Sequence, residues 1–518
     1  MKEDDRERWL EAIKVETDQL FSGTLVEEVP QGGRGVDYKV IHSTMQLKIK
    51  LKDDGNIDKY KARLCARGDM LSGMIAETYS PTVSALAHSV AHQWAIIDDM
   101  HTCSVDVVGA YLHQDYPSEA IPLYMMLEPH IAGAIGRDSK TLYRVKKYLY
   151  GLPDSGRAYY LGYSAHLIEN GYKRSISDPC LFVKLTDTSK TWVWIHVDDT
   201  FVASTELTEL EVFQKVVGKK FPYTVQRELD SFLGVHMEKL ADGSVRLTQP
   251  KLLADIFEEY VPEEMKGTPR ARAPQHSKED DVTWDHTPVD RTAYLHLLGA
   301  LLYVTKSRPD IATAVSFAAT HAVSPTEGAY RELLHCVQYL WNTQDAGLIL
   351  QTGVKGAELK LKCYVDASYL THADSKSHTG YCMSFGEIGT FYSKSSKQSL
   401  TTTSSTHAEM RALYQLVIDI IYVVTLCEEM GRPVSLPAIV MEDNQPVIDL
   451  SKDMTKGSKK CRHFLMLVNF IREQVQSGLI SIHKVATEDN LADILTKMTS
   501  GGQFIEKAEQ LLGMRLYE

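Results

Sequence analysis

The sequence predicts an α+β chain in which two mixed strand-and-helix units flank a helical segment. Residues 1 to about 262 mix strand-like and helix-like patterns, a polar stretch follows, and strand patterns return at about residue 358. The length of 518 residues fits about three domains. Apolar residues make up 44% and charged residues 24%, which is ordinary for a globular protein with a sizeable core.

The segment boundaries follow from these patterns. The stretch 262–290 is the strongest linker signal, because proline and charge cluster there between periodic segments. Residues 291–345 place apolar residues three and four apart, as helices do. From about 358 the chain predicts the strands LKCYVDAS, HTGYCMSF and GTFYSKSS, a helix over about 405–430, the strands AIVMED and LISIHKVA, and a last helix. We therefore divide the chain into residues 1–262, a linker and helical connection at 263–355, a unit at 356–500 and a C-terminal tail at 501–518.

Composition excludes several classes of protein. The opening MKEDDRERWL is charged where a secretory signal would be apolar. The most apolar run, LVIDIIYVVTLCEEM, carries Asp419 and is shorter than a membrane span. The eight cysteines are scattered without a CxxC pair, which argues against a zinc site and fits buried thiols in a reducing compartment.

The net charge of −12 is unusual for a protein that binds phosphate, so the distribution of basic residues matters more than their total. Two basic patches stand out: Lys48, Lys50, Lys52, Lys59, Lys61, Arg63 and Arg67, and Lys452, Lys456, Lys459, Lys460 and Arg462. The charge balance permits nucleic-acid binding but does not require it.

A first set of carboxylates lies at the ends of apolar strands. Asp106 falls within the strand-like run HTCSVDVV, and Asp198 and Asp199 separate two β-forming halves, so we expect the pair in a hairpin turn. Solvated turn chemistry is one interpretation. The alternative is a metal site, because adjacent like charges repel and two divalent metals would neutralise them.

A second set is Asp366 on a strand, Glu409 opening the long helix, Asp443 ending a strand and Asp493 beginning the last helix. Three of them have alternatives as capping residues: Glu409 in a capping box with Thr406, Asp443 before the next helix, and Asp493 in a first helical turn. Asp366 lies inside an apolar strand, where a buried carboxylate needs a partner such as a metal.

The strings around the first set resemble reverse transcriptases of copia-type LTR-retrotransposon Pol polyproteins. The similar segments are KYKARLCARG, DVVGAYL, LYGLPDSGRAYY, HVDD and LDSFLGVHME. The resemblance implies a right-hand polymerase of fingers, palm and thumb. It also implies that Asp106, Asp198 and Asp199 bind metal, that Lys61 and Arg63 contact the triphosphate, and that Tyr111 screens the ribose 2′-OH. Pro153 and Ser155 would lie under the templating base and incoming nucleotide.

The strings around the second set resemble the ribonuclease H of the same family: SSTHAEMRAL, MEDNQPVIDL and ATEDNLADILTK. The resemblance implies an α/β ribonuclease H-like domain with Asp366, Glu409, Asp443 and Asp493 as metal ligands. The segment AYLHLLGALLYVTKSRPDI is similar to the family's connection. There, Lys306 and Arg308 either touch the duplex or form a solvated helix end.

Together the resemblances imply an RNA-directed DNA polymerase with ribonuclease H activity, using two Mg²⁺ (or Mn²⁺) per active site. The expected partners are an RNA template, a DNA primer, the RNA–DNA hybrid, dNTPs and other polyprotein products, with no membrane. We expect a cytoplasmic virus-like particle with a nuclear stage, and capsid, protease and integrase parts that lie upstream or have been lost. His196 and Pro153-Asp154 depart from the family pattern, so two alternatives stay open: a non-catalytic, nucleic-acid-binding remnant, and a chain in which only the nuclease works.

Overall fold

The computed structural model describes residues 3–30, 38–51, 57–71, 77–118, 120–227, 230–263, 273–275, 283–353, 359–452, 459–499 and 501–517. Most of the predicted linker, with Lys52 and Lys456 of the basic patches, lies outside the described residues.

The N-terminal unit contains two sheets. The five-stranded sheet has the order β1-β6-β5-β2-β3 and the six-stranded sheet the order β11-β4-β10-β9-β8-β7. The strands are β1 Val26–Val29, β2 Lys39–Leu51, β3 Ile57–Ala66, β4 His101–Val107, β5 Leu123–Met126, β6 Leu142–Val145, β7 Lys173–Arg174, β8 Leu181–Leu185, β9 Lys190–His196, β10 Asp199–Ser204 and β11 Tyr223–Gln226. The helices are α1 Glu3–Leu20, α2 Ala85–Ile97, α3 Pro129–Ala134, α4 Ser155–Glu169 and α5 Leu207–Gly218. Strand β9 is buried on both faces, because Trp192 and Trp194 point to the same core and their neighbours are also apolar.

The middle of the chain is mainly helical, as predicted for residues 291–345. A four-stranded sheet joins β12 Ser231–Phe232, β13 Val235–Lys239, β14 Val245–Thr248 and β15 Leu348–Leu350. The helices are α6 Pro250–Tyr260, α7 Arg291–Val304, α8 Ala312–Ala319 and α9 Glu327–Asn342. They enclose one apolar core.

The expectation that Arg308 touches a duplex or solvent is wrong. Its side chain is fully buried, and its guanidinium forms a bidentate pair with Asp310 at 2.7 and 3.0 Å. The guanidinium also donates to the Thr343 carbonyl at 2.8 Å. Arg308 therefore fastens the end of α7 to the end of α9. Lys306 is exposed at the end of α7, with its ammonium over the Tyr303 ring.

The C-terminal unit forms the strands and the long helix that the sequence predicts. Its sheet has the order β18-β17-β16-β19-β20, in which β16, β19 and β20 run parallel and the other pairs run antiparallel. The strands are β16 Lys360–Ser368, β17 His378–Phe385, β18 Tyr392–Lys397, β19 Ser435–Glu442 and β20 Ile480–Lys484. The helices are α10 Ser405–Glu429, α11 Gln445–Lys452, α12 Leu465–Gln476 and α13 Gly501–Leu512. Mixed sheets and helices confirm the α+β fold class.

Helix α10 matches the helix predicted over about 405–430 and contains nearly all of the apolar run. By length and composition alone this 25-residue helix could cross a membrane. It lies instead in the core, where Leu413, Leu416, Val417 and Ile420 are fully buried with the apolar side chains of the C-terminal sheet. All eight cysteines are free thiols, and seven of them are buried.

Helix α10 also packs against the N-terminal unit. The Trp94 indole donates to the Cys427 sulfur at 3.2 Å, and the Trp192 indole donates to the Met430 carbonyl at 2.9 Å. Arg432 pairs with Asp98 at 3.0 Å. Buried residues of α2, β9, α10 and the C-terminal sheet form one continuous core.

The interpretation of residues 501–518 as a tail is wrong. These residues contain α13, whose Phe504, Ala508 and Leu511 are buried in the core of the middle helices. The ring of Phe504 lies edge-on to Tyr339, with the centroids 5.7 Å apart. Because its apolar residues repeat at three- and four-residue steps, the segment folds as an amphipathic helix.

Gly380 on β17 provides a test of this packing. It lies opposite Asp366, and a Cβ at this position would be 2.6 Å from Thr496 Cγ2 and 2.7 Å from Leu495 Cβ. We expect Gly380→Ala to destabilise the fold by about 1–3 kcal/mol, the usual effect of overpacking. The measurement is the free energy of unfolding in urea, followed by tryptophan fluorescence.

The matched control is Gly299→Ala in α7, where the added Cβ would face open space beyond its own helix. That change should be neutral or stabilising, since alanine is the better helix former. Equal effects of the two substitutions would contradict the close approach at Gly380.

Candidate active sites

The structure places the first set of carboxylates on two neighbouring strands. Asp106 on β4 lies directly opposite Asp199 on β10, and Asp198 precedes β10 in the turn from β9. The Val107 amide donates to the Asp198 carbonyl at 3.1 Å, which ties the turn to β4. We call Asp106, Asp198 and Asp199 the first site.

The hairpin turn differs from the predicted one. Its two residues are Val197 and Asp198, whereas Asp199 already belongs to β10. Val197 takes a φ of +57°, which is rare for a β-branched residue. Strained backbone of this kind costs on the order of 1–3 kcal/mol and persists where the surrounding structure imposes it. Here the paired strands β4, β9 and β10 impose it.

Burial and mutual repulsion disfavour the charged carboxylates of the first site. Burial, followed by the charges of Asp198 and Asp106, raises the pKa of Asp199 to about 6. Burial and then Asp198 also raise the pKa of Asp106, against the opposing influence of Lys61 and Lys50. The donors here are all carboxylate oxygens, which suit a hard divalent cation.

The predicted triphosphate contacts lie on the long β2–β3 hairpin. Lys61 and Arg63 are two residues apart on β3 and therefore share one face. Burial, then Arg63 and Lys50, lowers the pKa of Lys61, which shows how densely positive charge is gathered. The charge of Lys50 also favours the ionised form of Asp199, opposing the rise in its pKa.

Tyr111 lies between these two groups. Together with Arg63 and Tyr150 it lines an open cleft of about 680 Å³. The Arg63 guanidinium stacks 4.3 Å from the centre of the Tyr150 ring, and the Tyr111 ring centre is 5.2 Å from it. Tyr150, which sequence analysis did not single out, therefore positions both predicted contacts.

Pro153 and Ser155 are placed differently. Ser155 is buried and its hydroxyl donates to the Leu149 carbonyl at 2.7 Å, so it braces the loop before α4. Pro153 is exposed and lies against Gly68, where a Cβ would come within 2.7 Å of the proline ring. Gly151, rather than either of them, lines the cleft. The structure thus brings Arg63 and Tyr111 to one cleft, with Lys61 two residues from Arg63 on β3, but leaves the Ser155 hydroxyl out of the cleft.

The second site is the set Asp366, Glu409, Asp443 and Asp493. Asp366 is fully buried in β16, Glu409 is buried in the first turns of α10, and Asp443 directly follows β19. One carboxylate oxygen from each of these three lies within 4.8 Å of the others. Among the described residues this is the one group of acids, histidines or cysteines gathered so closely.

Capping does not explain these acids. Ser404 caps α10 by accepting from the His407 amide at 3.2 Å, so the capping box with Glu409 is wrong. Asn444, not Asp443, accepts from the Val447 amide at 3.2 Å and caps α11. Glu409 Oε2 is buried without a hydrogen-bond donor among the described residues. A divalent cation fits this set, since it would supply the missing partner.

Asp493 joins the site through a lysine. It lies in a 3₁₀ turn, Leu491–Leu495, and not at the start of the last helix as predicted. Its carboxylate pairs with Lys497 and with Lys507, each at 2.8 Å. Lys497 also pairs with Asp366 at 3.1 Å. The ammonium of Lys497 therefore lies between two of the predicted metal ligands.

Glu442 is a further acid that sequence analysis missed. It is fully buried; Oε1 accepts from the Asn444 amide at 2.9 Å, and Oε2 has no donor among the described residues. Burial raises the pKa of Glu442 and that of Glu409 well above the ordinary carboxyl range, and the neighbouring acids add to both shifts. The sequence signal that could have identified Glu442 is its position directly before the predicted ligand Asp443.

Known proteins resemble this chain over nearly its whole length. Residues 25–269 match the family described as "Reverse transcriptase (RNA-dependent DNA polymerase)". The Pol polyprotein of transposon RE2 from Arabidopsis thaliana is 28% identical over 96% of this chain and 33% of its own length. That of transposon TNT 1-94 from Nicotiana tabacum is 26% identical over 98% of this chain and 38% of its own length. The chain thus spans about a third of the curated relatives that it matches.

Similar solved structures are more distant. A foamy viral protease–reverse transcriptase in complex with double-stranded DNA covers 92% of this chain and 69% of its own, with a TM-score of 0.48 and 10% identity. LC11-RNase H1, isolated from compost, covers 29% of this chain and 97% of its own, with a TM-score of 0.22 and 16% identity.

The raised pKa of Asp199 predicts a pH-dependent stability in metal-free buffer. The folded chain holds this proton up to about pH 6, whereas an unfolded carboxyl releases it near pH 4. Stability from this group is therefore greatest below pH 4 and is lost between pH 4 and 6. We expect Asp199→Asn to melt above the unaltered chain at pH 7 in EDTA, and the difference in Tm to shrink towards pH 4.

The measurement is thermal unfolding by circular dichroism at four pH values from 4 to 7. Asp255→Asn, on the exposed side of α6, is the control and should leave the pH dependence unaltered. A difference in Tm for Asp199→Asn that stays constant over this range would contradict the raised pKa.

Proposed function

We propose that this chain is an RNA-directed DNA polymerase with ribonuclease H activity. The proposal is supported by the match of residues 25–269 to the reverse transcriptase family and by the similarity of nearly the whole chain to transposon Pol polyproteins. The observation that carries the proposal is the pairing of Asp106 with Asp199 across β4 and β10, beneath the basic β2–β3 hairpin. Its substrates would be an RNA template, a DNA primer and dNTPs at the first site, and the RNA–DNA hybrid at the second.

At the first site, Asp106, Asp198 and Asp199 would hold Mg²⁺ or Mn²⁺, two ions in all. Bound there, the metals supply neutralisation of charge at the attacking and leaving oxygens of phosphoryl transfer. Lys61 and Arg63 would bind the triphosphate, since guanidinium and ammonium groups pair well with phosphate. The Tyr111 ring, fixed against Tyr150, would leave no room for a ribose 2′-OH.

At the second site, Asp366, Glu409 and Asp443 would hold the metal that activates water, and Asp493 would complete the set. The proximity of three carboxylates and the unpartnered Glu409 Oε2 support this assignment. The hybrid would be bound through its backbone and shape, because any template has to be accepted.

The net charge of −12 is compatible with this function, since the basic residues are concentrated where phosphate would lie. Lys48, Lys50 and Lys59 are exposed on the β2–β3 hairpin beside Lys61 and Arg63. The field at the first site is therefore set locally and not by the total charge.

The departures from the family pattern leave the carboxylates in place. His196 lies opposite Asp199 and lines a cavity with Phe232 and Lys306. Burial, followed by Lys306, lowers its pKa, so it stays neutral near pH 7. Asp154 accepts from the Tyr148 hydroxyl at 3.2 Å and does not approach the first site's carboxylates through any hydrogen bond among the described residues. These contacts favour an active enzyme over a decayed remnant.

The two activities should separate by single substitutions. Asp198→Asn removes a metal ligand of the first site and should reduce primer extension on an RNA template by more than about 100-fold, since even outer-shell changes cost 10–100-fold. It should leave hybrid cleavage intact. Asp366→Asn should do the opposite at the second site. The measurements are primer extension and cleavage of a labelled hybrid, both with Mg²⁺ and with Mn²⁺.

Each variant is the matched control for the other. Absence of extension by the unaltered chain, with cleavage retained, would overturn the polymerase proposal and leave a nuclease. Absence of both would favour the non-catalytic remnant.

Tyr111 allows a second test, of sugar selection. Tyr111→Ala removes the ring from the cleft, so the preference for dNTPs over ribonucleotides should fall by at least about tenfold. The readout is the ratio of kcat/KM for dCTP and CTP in single-nucleotide extension. Tyr159→Phe is the control, because Tyr159 is buried behind Tyr111 and its ring is kept. An unchanged ratio in Tyr111→Ala would contradict the role of Tyr111.

A further inference from the structure

The second site already contains a cation, the ammonium of Lys497. Its Nζ lies 3.1 Å from Asp366 Oδ1 and 2.8 Å from Asp493 Oδ1. Thr496, the preceding residue, donates its hydroxyl to the other oxygen of Asp366. Asp366 and Asp493 thus face one another across a lysine, and Asp493 is not among the three acids whose oxygens lie within 4.8 Å of one another.

The two lysines at this site differ in how they are held. Lys507 is buried and donates to the Asn490 carbonyl at 2.9 Å, to the Thr487 carbonyl at 3.3 Å and to Asp493 at 2.8 Å. It is part of the scaffold. Lys497 keeps 39% of its side chain exposed, and among the described residues its ammonium donates to the two carboxylates. Its ammonium can therefore move into solvent without disturbing the core.

Because of Lys497, the two places where a divalent ion could bind at the second site differ in how many carboxylates the lysine already occupies. A divalent ion among Asp366, Glu409 and Asp443 competes with Lys497 for Asp366 alone. An ion between Asp366 and Asp493 has to displace the ammonium from both carboxylates. Without Lys497, these two acids would repel each other in a poorly solvated setting.

We propose that Lys497 is an internal counter-cation that holds the Asp366–Asp493 side of the second site in the metal-free chain and weakens the binding of a second divalent metal there. The inference rests on the proposed ribonuclease H function of the second site. One metal would bind first, at the Glu409 side, and the second would bind only as Lys497 leaves. Lys497 is thus a positioning residue that sets the order and the affinity of metal binding.

The test is Mn²⁺ binding without nucleic acid, followed by the electron paramagnetic resonance signal of free Mn²⁺. The full chain carries Asp106→Asn and Asp198→Asn, so that the first site does not contribute. In this background we expect two Mn²⁺ ions to bind at the second site, one with high affinity and one with low affinity. Lys497→Met should lower the dissociation constant of the low-affinity Mn²⁺ by at least tenfold. Lys497→Arg keeps the charge and should leave this constant unchanged. Lys362→Met removes a lysine paired with Glu387 elsewhere on the sheet and serves as the matched control.

A second measurement needs no substitution at Lys497. Acylation of Lys497 by an amine reagent, read by mass spectrometry, should rise as Mn²⁺ is added beyond the first equivalent, because the ammonium is released. The proposal would be overturned if Lys497→Met left the dissociation constant of the low-affinity Mn²⁺ unchanged, or if acylation of Lys497 did not respond to Mn²⁺. Tighter Mn²⁺ binding in Lys497→Met without hybrid cleavage by the unaltered chain would support the lysine's role and overturn the proposed function instead.

Discussion

Repulsion among clustered carboxylates is the constraint on which the rest of this structure depends. Like charges in poorly solvated positions raise one another's pKa and destabilise the fold unless a cation lies nearby. The basic hairpin offsets part of this repulsion at the first site from a distance, whereas Lys497 offsets part of it at the second site in direct contact. The first site is therefore left open to incoming cations, and the second is partly filled.

The backbone is shaped to keep these acids in place despite their repulsion. Val197 takes a positive φ, which closes the tight turn that holds Asp198 next to Asp199 at the start of β10. Gly380 lacks a side chain opposite Asp366, which lets residues 495–496 approach β17. Asn490 donates to the Val365 carbonyl at 2.9 Å and so fixes the turn that carries Asp493. Each of these three residues uses a local feature of the backbone to hold one of the carboxylates in place.

Much of this architecture could be predicted from periodicity. Strand β16 and helix α10 are recognisable because their apolar residues repeat at the spacing of one element, and Asp366 stands out as the acid inside such a pattern. Contacts between distant residues could not be predicted in this way. Lys497 follows Asp493 by four residues, which suggests a helix-surface pair, but its second partner is 131 residues away. Arg308 has the sequence signature of an exposed helix end, and only the fold shows that Asp310 and Thr343 enclose it. The segment before α10 offers several serines and threonines, so spacing alone did not identify Ser404 as the cap.

Helix α10 carries Glu409 near its first turn, and the residues at and just beyond its last turn contact the unit that contains the first site. The indoles of Trp94 and Trp192, which bind Cys427 and Met430, belong to that unit. Side-chain packing thus fixes the separation of the first and second sites. Under the proposed function, a duplex long enough to reach both sites would span this fixed distance. Cuts in its RNA strand would then fall at a constant spacing behind the growing DNA end.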